Sequence, residues 1–389
     1  MDVVRLCSEM VKIRTENPPG YTDEVVLFLQ EVCTSIGIET KILKQDRKWN
    51  LLSKKRCDQL LLCGHVDVVP AMDESWDLSP FSGDISEEHV HGRGSTDMKG
   101  GCAALLAALA EVIDDGYEPL VDLAFVCDEE GNGDFGMEYL VKKGYLRPKT
   151  CLIAEPTPPL SPVIGEKGIV RLNLTFTGNA GHSSLYPVMG NSAIEQALTS
   201  LDYFKELHEK SYPEDPLVHE VISNATVSLS KLLSLSPDQA NKILSRLAYN
   251  PGIIAGGERI NMIAQKCTME MDMRIPWGCN IDQLLELLNS HLPSCDVQVI
   301  DRAEPTLSRP GILYDLVCAG IEAVFNKKAM PGVTQAASDA RHLRETGAEV
   351  VNYGPGDLSL LHAVNERVPI HMLYDCRNVY KHILKNLPS

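Results

Sequence analysis

The chain has 389 residues, 44% apolar and 23% charged, which suits two ordinary globular cores and excludes a disordered, collagenous or disulfide-stapled polypeptide. Lys and Arg number 36 against 53 Asp and Glu, a formal charge of −17. That balance argues against nucleic-acid or anionic-membrane binding, which needs a basic face, but leaves room for an anionic small substrate met by one pocket arginine.

The first twenty residues carry charges every few positions and lack the apolar stretch of a signal peptide. No apolar run approaches the ~18 residues of a membrane span. Twelve cysteines are scattered without a C-x-x-C pair, the pattern of reduced, buried thiols. A soluble cytoplasmic protein is expected.

In chain order, residues 2–13 and 22–36 place apolar side chains at helical spacing on either side of the breaker Asn17-Pro18-Pro19-Gly20. Compact apolar runs at 60–63, 121–127 and 151–154 read as buried strands. Between the first two lies GGCAALLAALAEVID, residues 100–114, a helix whose Gly start suits close packing on a sheet. Strand, helix, strand, repeated, predicts an α/β domain with a mixed, mostly parallel sheet flanked by helices.

The pattern changes after Pro162. Residues 168–178 alternate like a half-exposed strand, 191–207 read as an amphipathic helix, and CTMEMDMRI at 267–275 puts Met269, Met271 and Met273 on one face. A helix at 281–291 and a strand at 296–300 follow. This is an α+β insert of ferredoxin-like type at 166–303, with a helical elaboration at 208–247. The catalytic domain, 1–165 and 304–389, resumes with a helix at 313–325, a strand at 348–352 and a helix at 375–384.

Five polar clusters follow strands or open loops: His65 and Asp67 in GHVD, Asp97 in GRGSTDMKG, Glu129 and Glu130 in DEEG, Glu155 in AEPT, and His362 in LSLLHAVNE. Ends of strands are where open α/β sheets place their sites. His65, Asp97, Glu130, Glu155 and His362 supply two imidazoles and three carboxylates. That set suits two divalent ions sharing one bridging carboxylate, with zinc the first choice and cobalt or manganese the alternatives. Asp67 is placed to orient His65, and Glu129 to act as general base.

Together with GHSS at 181–184 and the late H-x-x-N-E, these motifs resemble the M20 metallopeptidase/deacylase family, over nearly the whole chain. The family includes acetylornithine deacetylase, succinyl-diaminopimelate desuccinylase, aminoacylase-1 and the carboxypeptidase G2 type. The resemblance implies a zinc-exopeptidase-like catalytic domain with an inserted lid or dimerisation domain. It implies that His65 and Glu155 hold one metal, Glu130 and His362 the other, and Asp97 bridges. It implies a cis peptide at Asp97-Met98, a His182 that reaches the partner subunit's active site and polarises the scissile carbonyl, and substrate contacts from Arg274, Asn261, Ser338 and Arg341. Ala336 and Ala337 depart from the small glycines common in that last loop. The expected protein is a homodimeric metal-dependent amidohydrolase that removes the acyl group from an N-acyl amino acid. An exopeptidase acting on short peptides and a catalytically dead binding homologue are the alternatives.

Overall fold

The computed structural model describes residues 1–54, 57, 59–71, 75–131, 133–292 and 294–388. Among them, nine strands form the larger sheet. Its four central strands are Val121–Val126, Leu60–His65, Thr150–Ile153 and Glu349–Asn352, side by side and parallel. Parallel strands covered on both faces need continuous apolar sequence. Leu60, Leu61, Leu62 and Cys63 meet that need and are fully buried. The margins are antiparallel: the hairpin Thr40–Gln45 and Lys48–Ser53 on one side, Val163–Glu166 with Thr306–Leu307 on the other.

The helix Gly100–Asp114 packs with Val3–Lys12 and Ile370–Lys385. Its first residues approach the sheet so closely that a side chain at Gly101 would run into the Ala154 carbonyl. The peptide Asp97-Met98 immediately before it is cis.

The smaller sheet is antiparallel, in the order Cys295–Ala303, Gly168–Thr177, Lys266–Ile275, Ala248–Gly256. The helices Ala193–Glu209 and Ile281–His291 cover one face, where Met269, Met271 and Met273 are buried. This is the β-α-β-β-α-β order of a ferredoxin-like unit.

Two further helices, Pro216–Leu232 and Pro237–Ser245, lie within this segment of sequence. Each starts on a strong cap: Asp215 accepts from the Val218 amide, and Ser236 forms a capping box with Gln239, each followed by proline. Their apolar faces do not join the small sheet. Val218, Val221, Ile222, Ala225 and Leu229 enter the core of the larger body, and the Asn224 amide donates to the Pro331 carbonyl at 2.9 Å. The elaboration at 208–247 therefore walls the larger domain from a position inside the insert's sequence.

Candidate metal centre

The parallel strands end together, and their carboxyl ends carry the polar clusters. His65 is the last residue of Leu60–His65, Glu129 and Glu130 follow Val121–Val126, and Glu155 follows Thr150–Ile153. His362 comes from the loop after Glu349–Asn352, with its backbone in the left-handed region at φ 60°. Asp97 stands in the turn before Gly100–Asp114.

His65 Nε2 lies 3.0 Å from Asp97 Oδ1 and 3.6 Å from Glu155 Oε1. His362 Nε2 lies 3.2 Å from Asp97 Oδ2 and 3.4 Å from Glu130 Oε1. The two oxygens of Asp97 thus face two different histidines. His65, Asp97 and Glu155 form one group of donors within 4.8 Å of one another, Asp97, Glu130 and His362 a second, and His65, Glu129 and Glu130 a third. Around a tetrahedral ion with ligands at ~2.0–2.2 Å, donors stand roughly 3.4 Å apart, close to these separations.

Two further observations fit a cation. Buried Glu130 Oε1 has only the His362 ring nitrogen near it, 3.4 Å away and outside good hydrogen-bond geometry. The electrostatics also point to missing positive charge. Burial pushes the Glu129, Glu130 and Glu155 carboxyls above the usual range. Burial opposes the charged form of His65, yet Asp97 and Glu155 outweigh it. The neighbouring Asp97 and Glu130 carboxylates raise His362 to about 10. Asp97, by contrast, is held below the usual carboxylate range against its burial by the His362 and His65 rings beside it. The cluster thus gathers buried carboxyls of mixed protonation around two imidazoles, a donor set suited to divalent cations.

Asp67 is fully buried, and its role is divided. The Asp67 backbone carbonyl accepts from His65 Nδ1 at 2.9 Å, which leaves Nε2 free to ligate, while its Oδ1 is 3.7 Å from Nδ1. The Asp67 carboxylate instead accepts from the amides of Glu129 at 3.2 Å and Glu130 at 3.0 Å. It fixes the turn that presents both glutamates.

Three supports escaped the sequence reading. Asn17 Nδ2 bridges Asp67 Oδ2 and Asp128 Oδ1 at 2.8 and 2.9 Å. Asp128, buried with φ 67°, also accepts from Lys48 Nζ at 2.7 Å. Glu366 Oε1 accepts the amides of Gly94, Thr96 and Asp97, and its Oε2 pairs with Arg93 Nη1 at 2.5 Å. Arg93 Nη2 then holds the His362 carbonyl at 3.2 Å. Glu366 closes the quoted H-x-x-N-E run, so its signal was a charged residue at a fixed offset from a ligand.

The substrate candidates are spread out. Ser338 lines the cavity beside the centre, its amide and hydroxyl both donating to Glu166 Oε2 at 3.0 and 2.9 Å. Arg341 Nε donates to His342 Nε2 at 3.3 Å. Arg274 is half-buried on the polar face of the small sheet, its Nε 3.0 Å from Asp272 Oδ1. His182 and Asn261 are exposed together at the edge of the small sheet: Ser183 N donates to the Asn261 carbonyl at 3.2 Å, and His182 Nδ1 shares a hydrogen bond of 2.8 Å with Ser184 Oγ. Arg274, Arg341, Asn261 and His182 do not line the cavity.

A parallel-centred sheet with histidines and carboxylates converging at its strand ends is the build of a metallohydrolase. The model of peptidase family M20/M25/M40 matches residues 61–386, and the chain belongs to this family and is an enzyme. A probable succinyl-diaminopimelate desuccinylase of Staphylococcus epidermidis is 27% identical, with 99% of this chain and 97% of that protein covered. A [LysW]-lysine/[LysW]-ornithine hydrolase of Sulfurisphaera tokodaii is 25% identical, covering 99% and 95%. The crystal structure of the M20 metallo-carboxypeptidase Sso-CP2 from Sulfolobus solfataricus superposes with a TM-score of 0.80 at 19% identity, covering 99% of both chains.

Proposed function

We propose that the protein is a two-metal amidohydrolase that releases the acyl group from an N-acyl amino acid. One observation carries it: the two oxygens of Asp97 face His65 and His362 separately, so one carboxylate can serve two ions. His65 and Glu155 would hold one ion, Glu130 and His362 the other. Zinc suits these nitrogen and oxygen donors, with cobalt or manganese as substitutes. When bound, two such ions make water acidic enough to attack near neutral pH and polarise the amide carbonyl. Glu129, raised by burial and standing beside His65 and Glu130, is given the proton of the attacking water to accept and to return to the departing amine. The acyl–nitrogen bond breaks, and water supplies the hydroxyl of the acid and the hydrogen of the amine. The names of the curated relatives support a deacylase. That of the structural neighbour supports a second reading, an exopeptidase acting on a C-terminal residue.

Twelve unpaired thiols suit a reducing cytoplasm, and among the described residues no helix is long and apolar enough to cross a membrane.

The deciding experiment is a panel of N-acetyl, longer N-acyl and N-succinyl amino acids against dipeptides, with zinc or cobalt added after chelation. Acyl amino acids are expected to exceed dipeptides at least tenfold in kcat/KM; the reverse order makes the enzyme an exopeptidase, and full activity in metal-free protein removes the two-metal mechanism. Arg274 is assigned to the substrate carboxylate through the lid. Arg274→Ala should then lower kcat/KM by about 10- to 200-fold, the worth of a charge-assisted hydrogen bond. The loss should shrink for an α-amidated substrate. A change below about threefold (~0.7 kcal/mol) leaves Arg274 as the partner of Asp272 alone.

A further inference from the structure

A cavity of about 410 Å³ opens beside the centre, and Asp97, Glu129, Glu130, Glu155 and His362 form part of its lining. Much of the remaining wall comes from the helix Pro216–Leu232, where Ala225, Ser228, Leu229 and Leu232 stand at i, i+3, i+4 and i+7 and so share one face. Leu233 and Leu244 from the same helical pair, and Val163 and Val333 from the large sheet, extend the apolar surface. Ser161 and Ser228 bond each other at 2.9 Å, and the other polar lining residues, Thr157, Thr334, Gln335, Ser338 and Asn352, are uncharged. Among the described residues lining this cavity there is no lysine and no arginine, and apart from His362 its ionisable groups are all carboxylic acids.

We propose that this cavity receives the acyl half of the substrate, and that the acyl group is an uncharged aliphatic chain longer than acetyl, not a succinyl group. The substrate class rests on the deacylase reading above. A succinyl carboxylate placed against the wall of Leu229, Leu232, Leu233 and Leu244 would leave water with no lysine or arginine side chain to meet it. The same argument turns the amino-acid half away, because its α-carboxylate needs a cation and Arg274 and Arg341 both lie off the cavity. An aliphatic chain meets no such cost. Each methylene removed from water contributes ~0.8 kcal/mol, about fourfold in kcat/KM. Leu233, 48% exposed, and Leu361, 37% exposed, also line the cavity, so apolar surface is left open to solvent where a chain could cover it.

The test uses the metal-loaded full chain and one amino acid carrying N-acetyl, N-butanoyl, N-hexanoyl, N-octanoyl or N-succinyl. The expected result is a rise of about fourfold per methylene as far as the cavity's length, with N-hexanoyl at least tenfold above N-succinyl. A flat series, or N-succinyl equal to N-hexanoyl, overturns the proposal while leaving a deacylase. Leu233→Arg places a cation in the wall at an exposed position. It should lower the hexanoyl-to-succinyl ratio at least tenfold, with thermal unfolding confirming the fold; an unchanged ratio overturns the placement. Calorimetry with hexanohydroxamate and succinyl monohydroxamate reads the cavity without turnover. If only dipeptides are hydrolysed, the deacylase reading has failed, and the cavity's preference still stands or falls on which hydroxamate binds more tightly.

Discussion

At the scale of single residues, the centre depends on a carboxylate that ligates nothing. Glu366 is buried, its partner Arg93 almost so, and the pair ties the Asp97 turn to the His362 loop. Removing one member of a buried ion pair leaves an uncompensated charge, at a cost of ~3–5 kcal/mol. Glu366→Ala should destabilise the metal-free protein by about that amount in urea unfolding; a loss below about 1 kcal/mol would show that water replaces the carboxylate. Glu129 makes a complementary case. Glu129→Gln keeps size and should keep the metals, yet lower kcat by ~10²–10⁴ or more. Loss of metal together with activity would mean that Glu129 and Glu130 exchange roles. His65, Glu129, Glu130 and Glu155 stand out in the sequence because they close or closely follow buried apolar runs, whereas Asp97 lies in a glycine-rich turn. Their supports do not stand out, because Asn17 meets Asp128 from 111 residues away and Arg93 meets Glu366 from 273. Asp67 shows the limit within a motif: its spacing placed it beside His65, but only the fold shows that its carbonyl orients the ring and its carboxylate holds the glutamates.

Among the elements, buried parallel strands announce themselves by continuous apolar sequence, and the strands of the small sheet by alternation that put three methionines inward. The marginal hairpin Thr40–Gln45 and Lys48–Ser53 has neither signal, since its first strand is only half-buried and rich in polar residues. The helices Pro216–Leu232 and Pro237–Ser245 were legible as helices, but their partner was not, because an amphipathic face does not say which core it joins. Lys167 locks them in place. It lies between the strand Val163–Glu166 of the large sheet and Gly168–Thr177 of the small one, and its buried ammonium donates to the carbonyls of Ile243 at 3.0 Å and Arg246. Burial, aided by repulsion from Arg274, brings Lys167 down from 10.5 to about 7. The unfolded chain therefore binds a proton between about pH 7 and 10.5 that the folded protein has released, so stability rises with pH across that window. Lys167→Met lacks this increment. From pH 7 to 9.5 the stability of the wild type relative to the variant should rise, by an amount of the order of 3 kcal/mol, in paired urea titrations. A difference that stays constant would mean that Lys167 keeps its charge when buried.

For the whole molecule, the order of strands in the large sheet is set by long-range pairing that local pattern does not encode, as where Val163–Glu166 takes Thr306–Leu307 on one side. The small sheet leaves a different matter open. Among the described residues its strand Ala248–Gly256 pairs on one side only, and Ile253 and Ile254 on it are 58% and 49% exposed. An unpaired edge with apolar side chains is a template for another strand. Nearby, Val188, Met189 and Ile260 are also exposed, as is His182. Pairing of two copies along this edge would cover the apolar surface and carry His182 of one copy toward the centre of the other. A homodimer is therefore expected, burying on the order of 1,200–2,000 Å². Light scattering that finds an active monomer would exclude it. Complementation tests the exchange of His182 directly. Glu129→Gln and His182→Ala should each be nearly inactive alone. After mixing and subunit exchange, half of the dimers are hybrids, and in each hybrid one site combines an intact Glu129 with an intact His182 from the other copy. About a quarter of all sites should then recover activity, as twofold symmetry requires. If exchange is verified and no activity returns, His182 acts within its own chain or not at all.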